Sequence, residues 1–152
     1  MNNNTPECNE KCIDVCNELL AGEISAVETY DIALKKFDGQ SGTSELTQIK
    51  DNHQTAVDKL RANIHRMGGE PKDGSGAWGV FAKGVQHSAN LFGKESALES
   101  LQEGEKHGRD EYTDALENDD VMIECKNLYR SELLPQINAH LTTLERLEEV
   151  VD

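Results

Sequence analysis

Two stretches of the chain repeat one pattern of glycine, glutamate and tyrosine, followed by alanine and leucine, at identical spacing. The first, AGEISAVETYDIAL, occupies residues 21-34, and the second, EGEKHGRDEYTDAL, occupies residues 103-116. The corresponding residues are Glu23 with Glu105, and Tyr30 with Tyr112. Seven residues separate glutamate from tyrosine in both stretches. This is close to two helical turns, so the pattern predicts that both side chains share one face of a helix.

A second correspondence joins the other two helical segments. When His53 is aligned with His140, five further positions match in residue type. These are Thr55 with Thr142, Val57 with Leu144, Asp58 with Glu145, Lys59 with Arg146 and Leu60 with Leu147. Two independent alignments of the same halves indicate an internal duplication.

Helical periodicity runs through most of the chain. Apolar residues recur at spacings of three and four, only three prolines occur, and alternating strand patterns are lacking. The sequence therefore predicts an all-α fold, as a single domain over residues 1-152. The predicted helices cover about 5-37, 44-67, 95-117 and 120-149. Thr5 is predicted as the N-cap of the first, and Pro135 is predicted to kink the last.

The order of these helices predicts a bundle topology. Short turns make two hairpins, whereas the segment 68-94 is too long for a turn and is predicted to be a crossover, with a short helix around 77-91. Its large apolar residues, which favour burial, are Trp78, Phe81, Val85, Leu91 and Phe92. Two hairpins joined by one long crossover form a four-helix bundle of the ferritin-like arrangement.

The chain is strongly acidic. It carries 29 Asp and Glu against 15 Lys and Arg, which gives a formal net charge of -14. Such a surface repels phosphate backbones and anionic lipid, so we expect neither nucleic acid nor a membrane as partner. No apolar run approaches the roughly 20 residues that span a bilayer, and the first residues lack a leader pattern. We expect a cytoplasmic protein; a homo-oligomer is left open.

The position of Glu23 on an apolar helical face requires an explanation. Its face also carries Leu19, Val27, Tyr30 and Leu34. A buried carboxylate without a partner is strongly unfavourable, so the glutamates of both halves need partners. An antiparallel duplicated bundle brings two glutamates and two histidines together at mid-height. We call this set the polar layer, and its members are Glu23, His53, Glu105 and His140.

The chemistry of the polar layer predicts a metal site. Carboxylates with imidazoles suit Fe, Mn or Zn. Tyr30 and Tyr112 are predicted to donate hydrogen bonds to the carboxylates. The same four residues also fit a second reading, a hydrogen-bonded polar core that holds no metal.

The first helix resembles that of ferritins and rubrerythrin-like proteins. In NELLAGEISAVETY, residues 17-30, an asparagine precedes the glutamate by six residues and a tyrosine follows it by seven. More broadly, the chain from about 13 to 147 resembles a family of small bacterial ferritin-like proteins of unknown function. The marks of this likeness are LLAGEISAVETY, IHRMGGEP, an aromatic crossover and GEKHGRDEYTDAL. The resemblance implies a metal-ligating Glu23 and a role in handling iron or oxidative stress.

The chain departs from di-iron carboxylate bundles at two decisive positions. Those bundles use Glu-x-x-His on two helices, because the glutamate bridges both metal ions. Here Lys50 precedes His53 by three residues, and Ile137 precedes His140. Both bridging carboxylates are missing, so a standard ferroxidase centre is not expected. The alternative class is a non-catalytic interaction bundle that uses its acidic surface and its crossover.

Four cysteines make a further candidate site. Cys8, Cys12 and Cys16 recur at a spacing of four on one helical face, and Cys125 lies fifteen residues before His140, as Cys8 lies before Glu23. If the first and last helices run parallel, four thiols can converge. They could hold Zn, Cu(I) or an iron-sulfur centre, or form disulfides if the protein is exported. The alternative is that they are small buried residues or free thiols near a chain end.

Overall fold

The computed structural model describes residues 6-150, except for the side chains of residues 6-8, 88-89 and 91-92. Within this range the chain is helical and contains no strand, so the predicted all-helical class is confirmed. The predicted N-cap Thr5 and the side chains of Cys8, Leu91 and Phe92 lie outside the described residues. No helix in the described part of the chain combines the length and apolar character that crossing a membrane requires.

Residues 6-150 form six α-helices, with one 3-10 and one π segment between them. Their bounds are α1 Pro6–Lys36, α2 Thr43–Arg66, the 3-10 segment Gly76–Gly79, α3 Val80–Phe92, α4 Lys94–Glu117, α5 Ile123–Leu128, the π segment Tyr129–Leu133 and α6 Leu134–Glu149. The crossover therefore contains the 3-10 segment and α3. The last helical stretch is continuous from α5 through the π segment into α6.

The chain leaves α2 through a glycine in the left-handed conformation. Gly68 has φ of 81°, a value that costs little only for glycine. Its N–H donates to His65 O at 3.0 Å, while Gly69 N–H donates to Ile64 O at 2.9 Å. This pair of bonds is the Schellman arrangement that satisfies carbonyls at a helix end.

Asn17 then fixes the start of the crossover on α1. Its amide nitrogen donates to Glu70 O at 3.0 Å, and its Oδ1 accepts from Lys72 N at 2.8 Å. Further along, Ser25 Oγ donates to Trp78 O at 2.7 Å. The crossover is thus attached to α1 by hydrogen bonds at two heights before α3 packs on α1 and α4.

The long helices pack against one another in pairs. α1 packs against α2, α4 packs against α6, and α1 also contacts α4. Two apolar clusters form the core. The cysteine-end cluster includes Cys12, Leu20, Leu60 and Tyr129, and the opposite-end cluster includes Tyr30, Ala33, Ile49, Leu101 and Leu144.

The polar layer lies between these two clusters. On α1, Leu20 of the cysteine-end cluster precedes Glu23, and Tyr30 of the opposite-end cluster follows it. On α4 the order is reversed, with Leu101 before Glu105 and Tyr112 after it. The reversal follows from the antiparallel direction of α1 and α4, and it puts both glutamates at mid-height.

A π segment immediately precedes Pro135. Proline lacks a backbone N–H, and its ring crowds the carbonyl one turn earlier. Tyr129–Leu133 is wound as a wider π turn, and Pro135 follows as the second residue of α6. Local widening of this kind is one recognised response to an interruption of the helical hydrogen bonds. The predicted kink at Pro135 stays a prediction.

Candidate metal centre

Four buried polar residues, each from a different helix, make up the polar layer. Glu23 and His53 are 4% exposed, and Glu105 and His140 are 3% exposed. They come from α1, α2, α4 and α6 in that order. At this depth each charge requires a partner, and the partners lie within the layer itself.

His53 occupies the centre of the polar layer. Its Nδ1 lies 2.6 Å from Glu23 Oε2, and its Nε2 lies 2.6 Å from Glu105 Oε1. The two glutamates therefore approach opposite ring nitrogens of one histidine. A metal ion bound at Nε2 would be beyond the reach of Glu23, because the imidazole ring stands between them.

The tyrosines reach the carboxylates crosswise between the two halves. Tyr30 OH donates to Glu105 Oε1 at 2.8 Å, and Tyr112 OH donates to Glu23 Oε1 at 3.0 Å. Each tyrosine therefore serves the glutamate of the other half of the chain. These bonds hold each carboxylate in a single orientation.

His140 lies beside Glu105 and contacts a residue that the sequence did not identify. Its Nδ1 is 3.2 Å from Glu105 Oε1, and its Nε2 is 3.0 Å from Asn52 Nδ2. Asn52 can serve as donor or, with its amide turned, as acceptor, and so selects the tautomer of His140. The sequence signal for Asn52 was its position next to His53. Nothing in the pattern distinguished Asn52 from the other polar residues of α2.

Two buried atoms in this region make no hydrogen bond within the described part of the chain. They are Glu105 Oε2 and His140 Nδ1; the latter lies 3.2 Å from Glu105 Oε1 but does not have hydrogen-bond geometry towards it. Nearly all buried polar atoms have a partner, so two neighbouring exceptions call for an explanation. His53, Glu105 and His140 each offer one ligand atom, and these three atoms lie within 4.8 Å of one another. This donor set of two imidazoles and one carboxylate fits Zn, Fe or Mn.

The electrostatics of the layer favour an ion pair when no metal is bound. Burial opposes the charged form of His53, but the charges of Glu105 and Glu23 outweigh it and raise the pKa of His53 to about 10. Burial likewise opposes ionisation of Glu105, yet the charge of His53, the close approach of His140 and the hydrogen bond from His53 lower its pKa to about 2. Burial, together with the nearby carboxylates, raises the pKa values of Tyr30 and Tyr112 well above their usual value.

The positions that would supply bridging carboxylates do not contribute to the layer. Lys50 Nζ forms an ion pair with Asp31 Oδ1 at 3.0 Å and so points to the half-exposed side of α1. Ile137 is buried and lines the cavity next to the glutamates. A second cation would therefore lack both bridging carboxylates.

A small cavity of about 40 Å³, partly open to solvent, adjoins the polar layer. Glu23, Tyr30, His53, Glu105 and Tyr112 line it, and the aromatic rings of Trp78 and Phe81 lie along its wall. Gly22 and Gly104, which precede the two glutamates, leave space for these rings. The sequence predicted burial of the crossover aromatics, but gave no indication that they would flank the carboxylates.

A second group of candidate ligands lies in the cysteine-end cluster. We call Cys12, Cys16 and Cys125 the thiol cluster. Cys125 Sγ is 3.8 Å from both Cys12 Sγ and Cys16 Sγ, and all three cysteines are free and buried. Met122 N–H donates to Cys12 Sγ at 3.3 Å, and Tyr129 OH lies 2.7 Å from Cys16 Sγ. The predicted fourth member, Cys8, has no described side chain.

The three thiols titrate very differently. Hydrogen bonds from Cys125 and Cys16 lower the pKa of Cys12 to about 3, against the effect of burial, and Met122 N–H and the charge of Lys126 act in the same direction. The hydrogen bond to Cys12 raises the pKa of Cys125 to about 11 and, with burial, also raises that of Cys16. The surroundings therefore favour the thiolate form at Cys12 over that at Cys16 or Cys125.

Comparison with known proteins gives a family for most of the chain. Residues 11-118 match the family described as Domain of unknown function (DUF2383). The chain belongs to this family. The matched range includes Glu23, His53 and Glu105, whereas His140 and Cys125 lie beyond it. No curated protein and no solved structure matches the chain.

Proposed function

We propose that this DUF2383 member is a ferritin-like four-helix bundle that binds one transition-metal ion, Fe²⁺, Mn²⁺ or Zn²⁺, through His53, Glu105 and His140. The observation that carries the proposal is the pair of buried atoms that make no hydrogen bond, Glu105 Oε2 and His140 Nδ1, beside the imidazole of His53. An ion at this point would satisfy both atoms at once.

Glu23 then acts through His53 rather than on the ion. With His53 bound through Nε2, its Nδ1–H donates to Glu23 Oε2, the atom 2.6 Å away. A carboxylate behind a metal-bound histidine fixes the ring orientation and makes it a stronger ligand. The sequence-based set of four ligands is thereby narrowed to three ligands and one orienting carboxylate.

The charges support one ion rather than two. A divalent ion is balanced by the two carboxylates Glu105 and Glu23, whereas a second divalent ion would remain uncompensated in a buried site. The replacement of both bridging positions by Lys50 and Ile137 agrees with this count. The proposed site is a mononuclear relative of the di-iron centre.

The crosswise tyrosine bonds support the proposed internal duplication. Tyr30 of the first half bonds Glu105, and Tyr112 of the second half bonds Glu23. A pseudo-twofold axis between two equivalent hairpins would relate these contacts. A role in iron handling or in the response to oxidative stress is part of the proposal through the ferritin-like resemblance alone.

Metal analysis tests the proposed site. The protein is stripped of metal with chelator and reloaded separately with Fe²⁺, Mn²⁺ or Zn²⁺. It should then retain one ion per chain in addition to any ion bound by the thiol cluster. The variant His53→Ala should lose this additional ion. The matched control is His65→Ala, an exposed histidine on the same helix. Equal retention by wild type and His53→Ala, or retention by neither, would overturn the proposal.

A metal-free polar core is the second candidate, because His53 is already held between two carboxylates at 2.6 Å. If the polar layer has this role, added metal should not change the free energy of unfolding. His53→Ala would still destabilise the fold strongly, since it leaves buried carboxylates without their partner.

A further inference from the structure

The thiol cluster lies apart from the polar layer. On α1, seven residues separate Cys16 from Glu23, a rise of about 10 Å at ~1.5 Å per residue. The cluster is built where the amino-terminal part of α1 meets α5, and Cys12 and Cys16 are fully buried while Cys125 is 3% exposed. The side chains of the polar layer make no hydrogen bond to it among the described residues.

The spacing of the sulfur atoms matches that of a metal–thiolate centre. A tetrahedral ion with metal–sulfur bonds of about 2.3 Å holds its sulfur ligands about 3.8 Å apart. Cys125 Sγ lies at 3.8 Å from each of the other two sulfur atoms. The three ligand atoms are all mutually within 4.8 Å, so they already surround a common point.

Polar groups around the cluster are placed to stabilise negative sulfur. The backbone N–H of Met122 donates to Cys12 Sγ, and the Tyr129 hydroxyl lies 2.7 Å from Cys16 Sγ. A purely apolar packing role for buried cysteines requires neither contact. Tyr129 also opens the π segment, a kind of irregularity that is frequent at functional sites.

We propose that Cys12, Cys16 and Cys125 form a three-thiolate site for one thiophilic, closed-shell divalent metal ion of the Zn²⁺ type. Three thiolates with a divalent ion carry one net negative charge, whereas three thiolates with a monovalent ion carry two. Burying the larger net charge costs more free energy. Lys126, next to Cys125 in sequence, supplies compensating positive charge near Cys12. Thiolate ligands select such ions over Fe²⁺ or Mn²⁺.

Cd²⁺ is the probe, because its thiolate complexes absorb in the ultraviolet through charge transfer. Titration of the fully reduced chain should produce this absorption with an end point of one ion per chain. X-ray absorption at the cadmium edge should show three sulfur neighbours. A first shell of oxygen and nitrogen only, or no charge-transfer band, would overturn the proposal without the need for any variant.

Serine variants identify the ligands. Cys125→Ser should weaken Cd²⁺ binding by about 100-fold or more, since it removes a direct ligand, and Tyr129→Phe should weaken it by about 10-fold. Glu124→Gln, an exposed position next to Cys125, is the matched control and should bind as wild type does. Retention of the band at full affinity in Cys125→Ser would refute the assignment. His53→Ala should keep the band, so failure of this site and failure of the polar-layer site are distinguishable.

Discussion

At the scale of single residues, the polar layer is organised around His53. One carboxylate meets each of its ring nitrogens at 2.6 Å, and each carboxylate is held by a tyrosine from the other half of the chain. The buried atoms that make no hydrogen bond, Glu105 Oε2 and His140 Nδ1, both lie on the Nε2 side of the His53 ring. This asymmetry is the reason to assign Glu105 as a ligand and Glu23 as the residue that orients His53.

The variant Glu23→Gln tests that division of roles. It keeps the shape of the side chain but removes the charge behind His53, so metal affinity should fall by roughly 10- to 100-fold without loss of the one-to-one stoichiometry. Calorimetric titration with Zn²⁺ of protein whose thiol cluster is removed measures both quantities. Glu28→Gln, an exposed position on α1, is the control. A complete loss of binding in Glu23→Gln would instead make Glu23 a ligand.

The ion pair between His53 and Glu105 predicts how the metal-free protein responds to pH. The pKa of His53 rises from 6.5 to about 10 on folding, so its stabilising contribution is complete below pH 6.5 and is lost as pH rises towards 10. The pKa of Glu105 falls from 4.5 to about 2, so its contribution is complete above pH 4.5 and is lost towards pH 2.

Urea unfolding in the presence of chelator should therefore show that this pair contributes most between pH 4.5 and 6.5. His53→Gln should flatten the alkaline side of the profile. If wild type and His53→Gln lose stability equally above pH 6.5, His53 is not held as a cation by the two carboxylates.

At the scale of helices, the crossover aromatics fit against two glycines, Gly22 and Gly104, which occupy matching positions in the stretches 21-34 and 103-116. A Cβ at Gly22 would lie 3.1 Å from the Trp78 indole, whereas a Cβ at Gly104 would lie 3.6 Å from the Phe81 ring. The first distance is tighter than ordinary contact and the second is normal. The two glycines thus have the same sequence context but different steric surroundings.

Alanine substitution at Gly22 and Gly104 should separate the stabilisation gained by replacing a helical glycine from the cost of crowding an aromatic ring. Alanine in place of a helical glycine stabilises by roughly 0.5–1 kcal/mol when nothing opposes it, and Gly104→Ala should show this gain. Gly22→Ala should be less stable than Gly104→Ala by about 1 kcal/mol or more, because Trp78 must move. Urea unfolding of both variants measures the difference, and an equal gain would show that Trp78 is not packed tightly on α1.

At the scale of the whole molecule, the proposed ligands tie three helices together. His53, Glu105 and His140 come from α2, α4 and α6. A metal ion that binds the folded chain and not the unfolded one should raise the free energy of unfolding by about 2.7 kcal/mol at one hundred times its Kd. Urea unfolding with Mn²⁺ and with chelator checks this. His140→Ala should lose most of the gain, and an unchanged gain in that variant would exclude His140 from the site.

The sequence by itself determined the all-helical class and the residues that must be paired within the core. Apolar periodicity is a local property of three or four residues, so it revealed the acidic exceptions Glu23 and Glu105 on otherwise apolar faces. The matched spacing in the two halves further indicated His53 and His140 as their partners. Those inferences required no knowledge of how the helices pack.

Only the tertiary structure decided which atoms meet. Periodicity does not specify the rotation and relative height of neighbouring helices, and these decide that Glu23 and Glu105 meet opposite nitrogens of His53. The same geometry brings Asn52 to His140 and places Cys125 between Cys12 and Cys16. Contacts between residues far apart in sequence depend on packing across the whole core, and for that reason the pattern of one helix could not supply them.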